Sequence, residues 1–325
     1  MRAAGSCKRA SPVVQFTYIK ELKRGNDMEE KYFVNKTGDT IYYLQWNAAD
    51  PKCALVISHG MAEHPERYDD LAQYLTGKGI AVYAINQMGH GHHAPIPGHM
   101  EKGDFDKCVS NLSELVEIAK KETGKDAFLL GHSMGSFISQ LYIERFHNIK
   151  GLILSGSSAA TSLMKMAKPI ASVVCAFSKD KSAPSEFMNK MSFGSYNNAI
   201  ENPKTPFDWL SRDEEQVRKY IEDPLCGYVC SKSFFREMAG GFAVMAQPSE
   251  LARIDHDLPI FIHGGSKDPV SELGKGLYAL EKQYKDLGVK DVTLTVYPEA
   301  RHEIYNELNK QEVYDNTVAF IESHL

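Results

Sequence analysis

A serine lies between two glycines in the segment GHSMG of residues 131–135, which fits the pattern G-x-S-x-G. The apolar run Ala127–Leu130 precedes it and helical periodicity follows, so the context predicts a strand, a sharp turn and a helix. Small residues on either side of the serine let the strand and the helix approach each other. The turn exposes the hydroxyl and directs backbone N–H groups toward a developing oxyanion. We therefore predict that Ser133 is a nucleophile.

A serine hydroxyl needs a histidine that accepts its proton and a carboxylate that orients the histidine. Both partners are expected after later strands, in the chain order serine, acid, histidine. His302 follows the apolar run Val292–Val296 and is predicted to be the base. His263, before two glycines, suits a packing role, and His324 lies at the end of the chain.

The predicted acid is Asp268, which follows the apolar run Pro259–Ile262 and a glycine-rich turn. The proline after it stiffens the loop. Glu299 and Asp291 are alternatives because they are close to His302 in sequence. A neighbour in the same loop is, however, poorly positioned to reach the Nδ1 side of the imidazole.

Two backbone N–H groups are predicted to form the oxyanion hole. The helix after the nucleophile begins with Met134, and the loop of residues 59–64 follows the apolar run Cys53–Ser58. Gly60 in that loop allows the chain to turn so that the N–H of Met61 faces the site. In comparable enzymes the loss of one such donor costs about 3 kcal/mol of transition-state stabilisation.

The elements that must position these residues alternate between strands and helices. Apolar runs bounded by turn residues recur along the chain, with helical periods between most of them, which predicts an α/β fold with a mostly parallel sheet flanked by helices. Residues 28–158 and 257–325 form the predicted core. Residues 159–256 contain no clear strand and are predicted to be a helical cap inserted before the strand that carries the acid. Residues 1–27 are predicted to be a disordered arm.

Composition excludes several classes of function. The chain is 43% hydrophobic and 24% charged with a formal charge of −5, so it has no basic footprint for nucleic acid. No apolar run approaches the roughly 18 residues needed to span a bilayer. Six scattered cysteines without a C-x-x-C pair indicate reduced thiols. A cytoplasmic protein is predicted, with peripheral membrane contact left open.

Two weaker patterns in the sequence bear on ligand or membrane binding. A histidine tract lacks acidic or cysteine partners at ligand spacing, so neither a metal site nor a cofactor is predicted; its members are His90, His92, His93 and His99. An apolar stripe in the predicted cap either contacts membrane lipid or packs over an acyl tunnel. Its residues are Leu163, Met166, Ile170, Val173 and Phe177.

The motifs resemble those of the α/β-hydrolase superfamily, and within it the monoacylglycerol lipase and lysophospholipase-like serine hydrolases. The matching segments are HGMAEHPERYDDLAQYL (59–75), NQMGHGHH (86–93), GHSMGS (131–136), HGGSKDPV (263–270) and PEARHE (298–303). The resemblance implies that Ser133, Asp268 and His302 act as nucleophile, acid and base, with Met61 and Met134 as oxyanion donors. The segment 205–228 is similar to the cap of bacterial lysophospholipase-like hydrolases.

The resemblance implies a carboxylic-ester hydrolase with an acyl-enzyme intermediate, acting on monoacylglycerol or lysophospholipid-like esters. The alternatives are a short-chain or aromatic-acid (cinnamoyl-type) esterase, a serine peptidase and, more distantly, a ligand-binding protein without catalysis. Departures from the family pattern bear on the shape of the acyl pocket and leave the predicted catalytic groups in place. They are Ala62, Asn86, His93 and Ser136.

Overall fold

The computed structural model describes residues 22–23, 28–159, 162–245 and 247–325; of residues 22–23 and 162–166 it describes the backbone alone. Nine strands occur in these residues and form one sheet. They are β1 (Leu22–Lys23), β2 (Met28–Val34), β3 (Thr40–Trp46), β4 (Cys53–Ser58), β5 (Ile80–Ile85), β6 (Ala127–His132), β7 (Gly151–Ser155), β8 (Ile260–Gly265) and β9 (Val292–Tyr297).

The sheet has the order β1-β2-β3-β5-β4-β6-β7-β8-β9. From β5 to β9 every neighbouring pair is parallel, whereas the first three strands pair antiparallel. Strands β4 and β6 are buried along their whole length, which explains their continuous apolar sequences. The predicted mostly parallel sheet is confirmed. Its carboxyl-terminal edge carries the loops that contain the predicted site.

Helices cover both faces of the sheet. They are α1 (Asp69–Thr76), α2 (Asp104–Thr123), α3 (Met134–Arg145), α4 (Ser162–Ala176), α5 (Glu186–Phe193), α6 (Glu214–Glu222), α7 (Lys232–Met245), α8 (Pro248–Leu251), α9 (Lys275–Asp286) and α10 (Lys310–Ser323). Successive strand residues point to opposite faces. Val56 of β4 therefore joins the core under α2 and α3, while its neighbours Leu55 and Ile57 join the core under α1 and α10.

The segment between β7 and β8, residues 159–256, is called the insertion below. Its described part contains α4 to α8, and α7 packs on α2 and α3. One contact in that interface is an edge-to-face pair of Phe137 and Phe242, with ring centroids 4.9 Å apart. The insertion is thus joined to the sheet layer through apolar packing as well as through its two chain connections.

The arm predicted to be disordered, residues 1–27, contains the two-residue strand β1. This strand pairs antiparallel with Glu29 and Glu30 of β2. The rest of that arm lies outside the described residues. No helix in the described part of the chain is long and apolar enough to cross a membrane. Cys7 also lies outside the described residues, and the other five cysteines are buried free thiols.

Candidate active site

The nucleophile turn joins β6 to α3 and contains Ser133, which is partly exposed. Ser133 has φ 52° and ψ −120°, a backbone conformation that residues other than glycine rarely adopt. Its strain costs on the order of 1–3 kcal/mol of stability. The turn also requires Gly135, because a Cβ there would lie 1.9 Å from the carbonyl oxygen of Ser58. The strained turn and its glycine thus raise the serine hydroxyl at the carboxyl end of the sheet.

Asp268 and His302 come from separate loops and meet in the structure. The Nδ1–H of His302 donates a hydrogen bond of 2.9 Å to Oδ1 of Asp268. Both side chains are buried, and the backbone N–H of Val270 donates to the same carboxylate oxygen at 2.8 Å. Burial by itself would lower the pKa of His302, but the Asp268 carboxylate outweighs it, so the pKa lies above its ordinary value.

The ring of His302 lies against the nucleophile turn. Its centroid is 4.8 Å from that of His132, the residue before Ser133. Burial, with the nearby His302 adding to it, lowers the pKa of His132 to about 4, so this second imidazole is neutral at physiological pH. Gly156, directly after β7, leaves room for the base, since a Cβ there would be 2.8 Å from Cε1 of His302.

The alternative acids and bases lie elsewhere. Glu299 is mostly exposed and pairs with Lys267, and Asp291 binds His324 before the amino-terminal end of β9. His263 is buried, its Nε2 is 2.9 Å from the hydroxyl of Tyr305, and burial lowers its pKa to about 3. Within the described residues, the hydrogen bonds and ion pairs of these groups do not involve Asp268 or His302.

The loop that carries Met61 lies beside the nucleophile. A Cβ on Gly60 would be 3.1 Å from Cβ of Ser133, so the glycine allows the loop to approach the serine. Met134 is the first residue of α3 and therefore contributes one of the free N–H groups at a helix amino terminus. The roles of Met61 and Met134 as oxyanion donors remain predictions.

Sequence reasoning missed a buried ion-pair network behind this loop. Arg67 binds Glu303 through both terminal guanidinium nitrogens, at 2.5 and 2.6 Å, and binds Glu63 at 3.0 Å. Glu63 also accepts hydrogen bonds from the N–H of Gly60 and the hydroxyl of Tyr68. Burial alone would raise the pKa of Glu63, but Arg67 and the other donors lower it. The network thus joins the loop of Met61 to the residue after His302.

A group of possible metal ligands lies outside the histidine tract. In the described part of the chain, one group of three possible ligands has its atoms within 4.8 Å of one another: His64, Asp223 and Cys226. Both ring nitrogens of His64 already bind carboxylates, Glu66 at 2.5 Å and Asp223 at 2.8 Å. Burial raises the pKa of the Cys226 thiol well above its ordinary value. The group is therefore a hydrogen-bonded ion-pair cluster with a protonated thiol.

The histidines of the tract each bind a different partner. The Nε2 of His90 accepts a hydrogen bond from the N–H of Ala62 at 3.1 Å, and burial lowers the pKa of His90 to about 3. His93 lies 2.9 Å from Glu30, and His99 lies 3.0 Å from Glu101. These histidines hold loops in place.

Comparisons with known proteins identify a family that matches most of the chain. The family described as serine aminopeptidase, S33 (Hydrolase_4) matches residues 49–309. A monoacylglycerol lipase of Mycolicibacterium smegmatis is 28% identical over 299 residues, which cover 91% of this chain and 98% of that protein. A monoglyceride lipase of Homo sapiens is 28% identical over 288 residues, covering 85% of this chain and 84% of that protein.

Solved structures are similar over almost the whole chain. A thermostable carboxyl esterase from Bacillus coagulans, in complex with glycerol, has a TM-score of 0.83 and 25% identity, covering 92% of this chain and 99% of that one. A monoacylglycerol lipase from Paleococcus ferrophilus has a TM-score of 0.65 and 26% identity, covering 88% and 99%.

Proposed function

Because this chain belongs to the family described as serine aminopeptidase, S33, and is a serine hydrolase of the α/β-hydrolase fold, we propose that it cleaves the ester bond of monoacylglycerol or lysophospholipid-like substrates. The observation that supports this proposal best is the buried 2.9 Å hydrogen bond between His302 and Asp268 beside the turn of Ser133. The similarity to monoacylglycerol lipases supports the substrate class.

The proposed reaction has two halves. In the first, Nε2 of His302 accepts the proton of Ser133 while Oγ attacks the ester carbonyl, and the imidazolium then gives that proton to the leaving alcohol. In the second, His302 takes a proton from water, the hydroxide attacks the acyl-serine, and the proton returns to Oγ as the fatty acid leaves. Asp268 stays ionised and stabilises the imidazolium. The N–H groups of Met61 and Met134 would bind the oxyanion in both halves.

The environment of His302 suits this role. Its raised pKa makes the imidazole a stronger base, and the residue is neutral only above that pKa. Burial excludes water from the Asp268–His302 bond and strengthens it, because charges interact more strongly in a medium of low dielectric constant. The neutral ring of His132 adds no positive charge beside the imidazolium.

We also propose that the insertion contacts the surface of a lipid aggregate. In α4 and directly after it, Val173 is 57% and Phe177 is 88% exposed, whereas Ala171 and Cys175 are buried. The buried residues Ala171 and Cys175 are thus not members of the apolar stripe found in the sequence. The side chains of its members Leu163 and Met166 are not among those that the structure describes. Two large apolar side chains that are more than half exposed favour lipid contact over packing above an acyl tunnel.

Hydrolysis of a matched ester series tests the proposed activity. We expect turnover of monoacylglycerols and lysophospholipids with medium or long acyl chains, and loss of that turnover by about 10³-fold or more in Ser133→Ala. Ser110→Ala, on the exposed side of α2, is a matched control and should keep full activity. Preference for short-chain or cinnamoyl esters, or for peptides, would replace the proposed substrate. Full activity of folded Ser133→Ala would refute the mechanism.

A further inference from the structure

The carbonyl oxygen of Ala62 receives two hydrogen bonds from the insertion. The hydroxyl of Tyr220 on α6 donates to it at 3.0 Å, and the backbone N–H of Gly227 donates at 3.0 Å. The N–H of Ala62 is bound on its other side by His90 at 3.1 Å. Ala62 has φ 54°, in the left-handed region that favours glycine. These three hydrogen bonds hold a non-glycine residue in a strained conformation.

The side chain of Tyr220 is fixed independently of that hydrogen bond. It is 5% exposed, the Arg67 guanidinium lies 4.8 Å from its ring centroid, and the ring of Phe207 lies 5.1 Å away. Gly227 approaches the same ring, because a Cβ there would lie 3.1 Å from Cε1 of Tyr220. The tyrosine therefore presents its hydroxyl to the loop in a single, packed orientation.

The peptide N–H of Met61 lies between two groups whose directions are set. Gly60 on one side donates its N–H to Glu63, and Ala62 on the other side is bound at both its N–H and its carbonyl. The peptide plane that carries the Met61 N–H also contains the carbonyl of Gly60, whose oxygen lies 2.8 Å from Nδ1 of His59. His59 therefore holds this peptide plane directly, and the hydrogen bonds at Ala62 fix the residue that follows it.

We propose that Tyr220 is a positioning residue for the oxyanion hole, through which the insertion controls catalysis. The inference rests on the proposed function, since it assumes that the Met61 N–H stabilises the oxyanion. The same segment of the insertion also holds the loop of the base, because the carbonyls of Trp209 and Leu210 accept hydrogen bonds from the N–H groups of His302 and Glu303, at 3.3 and 2.7 Å.

This arrangement makes the segment 207–228 a bridge between the two catalytic loops. Large exposed apolar side chains lie instead on α4, directly after it and on α5: Val173, Phe177 and Phe187. A lipid surface would therefore meet one part of the insertion, while a different part keeps the catalytic loops aligned.

Tyr220→Phe tests the proposal, because it keeps the packed ring and removes the hydroxyl alone. We expect kcat on a soluble p-nitrophenyl ester to fall about tenfold or more with KM nearly unchanged, since the lost interaction acts in the transition state. Phosphonylation of Ser133 by a fluorophosphonate should slow by a similar factor, because its transition state also places a charged oxygen in the hole. The midpoint of the acid limb of the pH profile should not move, since His302 is untouched.

Tyr228→Phe is the matched control. Its hydroxyl, also in the insertion, donates to the carbonyl of Gly89 at 3.5 Å instead of to the carbonyl of Ala62. We expect this variant to keep the kcat of the wild type.

Three outcomes would overturn the inference for Tyr220→Phe: an unchanged kcat, a raised KM with kcat unchanged, or a lower unfolding temperature with kcat preserved. Ser133→Ala, assayed in parallel, separates these outcomes from failure of the proposed function. If Ser133→Ala is inactive and Tyr220→Phe is normal, only the positioning role is wrong.

Discussion

Glu144 on α3 is a buried carboxyl group that the proposed mechanism does not use. It is 1% exposed, and its Oε2 has no hydrogen-bond partner within the described ranges. Burial, with a contribution from the Glu250 carboxylate, raises the pKa of Glu144 to about 8 from an ordinary 4.5. Glutamine has the same shape and cannot ionise. We expect Glu144→Gln to stabilise the protein at alkaline pH.

The magnitude follows from the two pKa values. Between 4.5 and about 8 the folded state holds one proton more than the unfolded state at this site. The free energy of unfolding therefore falls by about 1.4 kcal/mol for each pH unit across that window, about 5 kcal/mol in all. This loss is absent below pH 4.5 and complete above about pH 8. Glu144→Gln should thus match the wild type in acid and exceed its stability in alkali.

Urea unfolding followed by tryptophan fluorescence, at about pH 5 and about pH 9, measures this difference. Glu201→Gln, at an exposed position of the insertion, is the matched control and should leave the pH dependence unchanged. A stabilisation of the same size at both pH values would show that ionisation of Glu144 is not the cause. A destabilisation confined to alkaline pH would refute the reasoning outright.

Two further predictions concern the site and the insertion. Asp268→Asn removes the charge that raises the pKa of His302, so the acid limb of kcat/KM should move to lower pH while kcat falls about 10⁴-fold. Glu299→Gln should change neither quantity, and the reverse result would make Glu299 the acid. The double variant Val173→Ser with Phe177→Ser should reduce co-sedimentation with phosphatidylcholine vesicles while activity on a soluble ester is kept. Tyr278→Ser, which removes an exposed ring from α9, should sediment as the wild type does, and equal binding by all three proteins would contradict the proposed lipid contact.

Much of the fold could be predicted because the local signals agree with one another. The apolar runs at 53–58 and 80–85 are strands with those same bounds, since buried parallel strands need apolar residues on both faces. The G-x-S-x-G segment lies at the predicted strand–turn–helix junction for the same local reason. Strand β2 begins at Met28 because its pairing with β3 extends to Trp46.

Other features depend on contacts between distant parts of the chain. The i, i+4 spacing of Glu63 and Arg67 is visible in the sequence, but the bidentate partner Glu303 is 236 residues away from Arg67. The hydrogen bond from Tyr220 to Ala62 spans 158 residues. Periodicity located α4 but left open whether its apolar stripe is buried, because the packing partner α7 follows more than fifty residues later.

In the proposed mechanism, the hydroxyl of Ser133, activated by His302, forms a covalent acyl-enzyme. Peptide mass spectrometry after reaction with a fluorophosphonate measures this most directly. We expect one phosphonyl group, on the peptide that contains Ser133, and a labelling rate at least about 10³-fold slower in His302→Ala. A label on another residue, or a rate unchanged in folded His302→Ala, would contradict it.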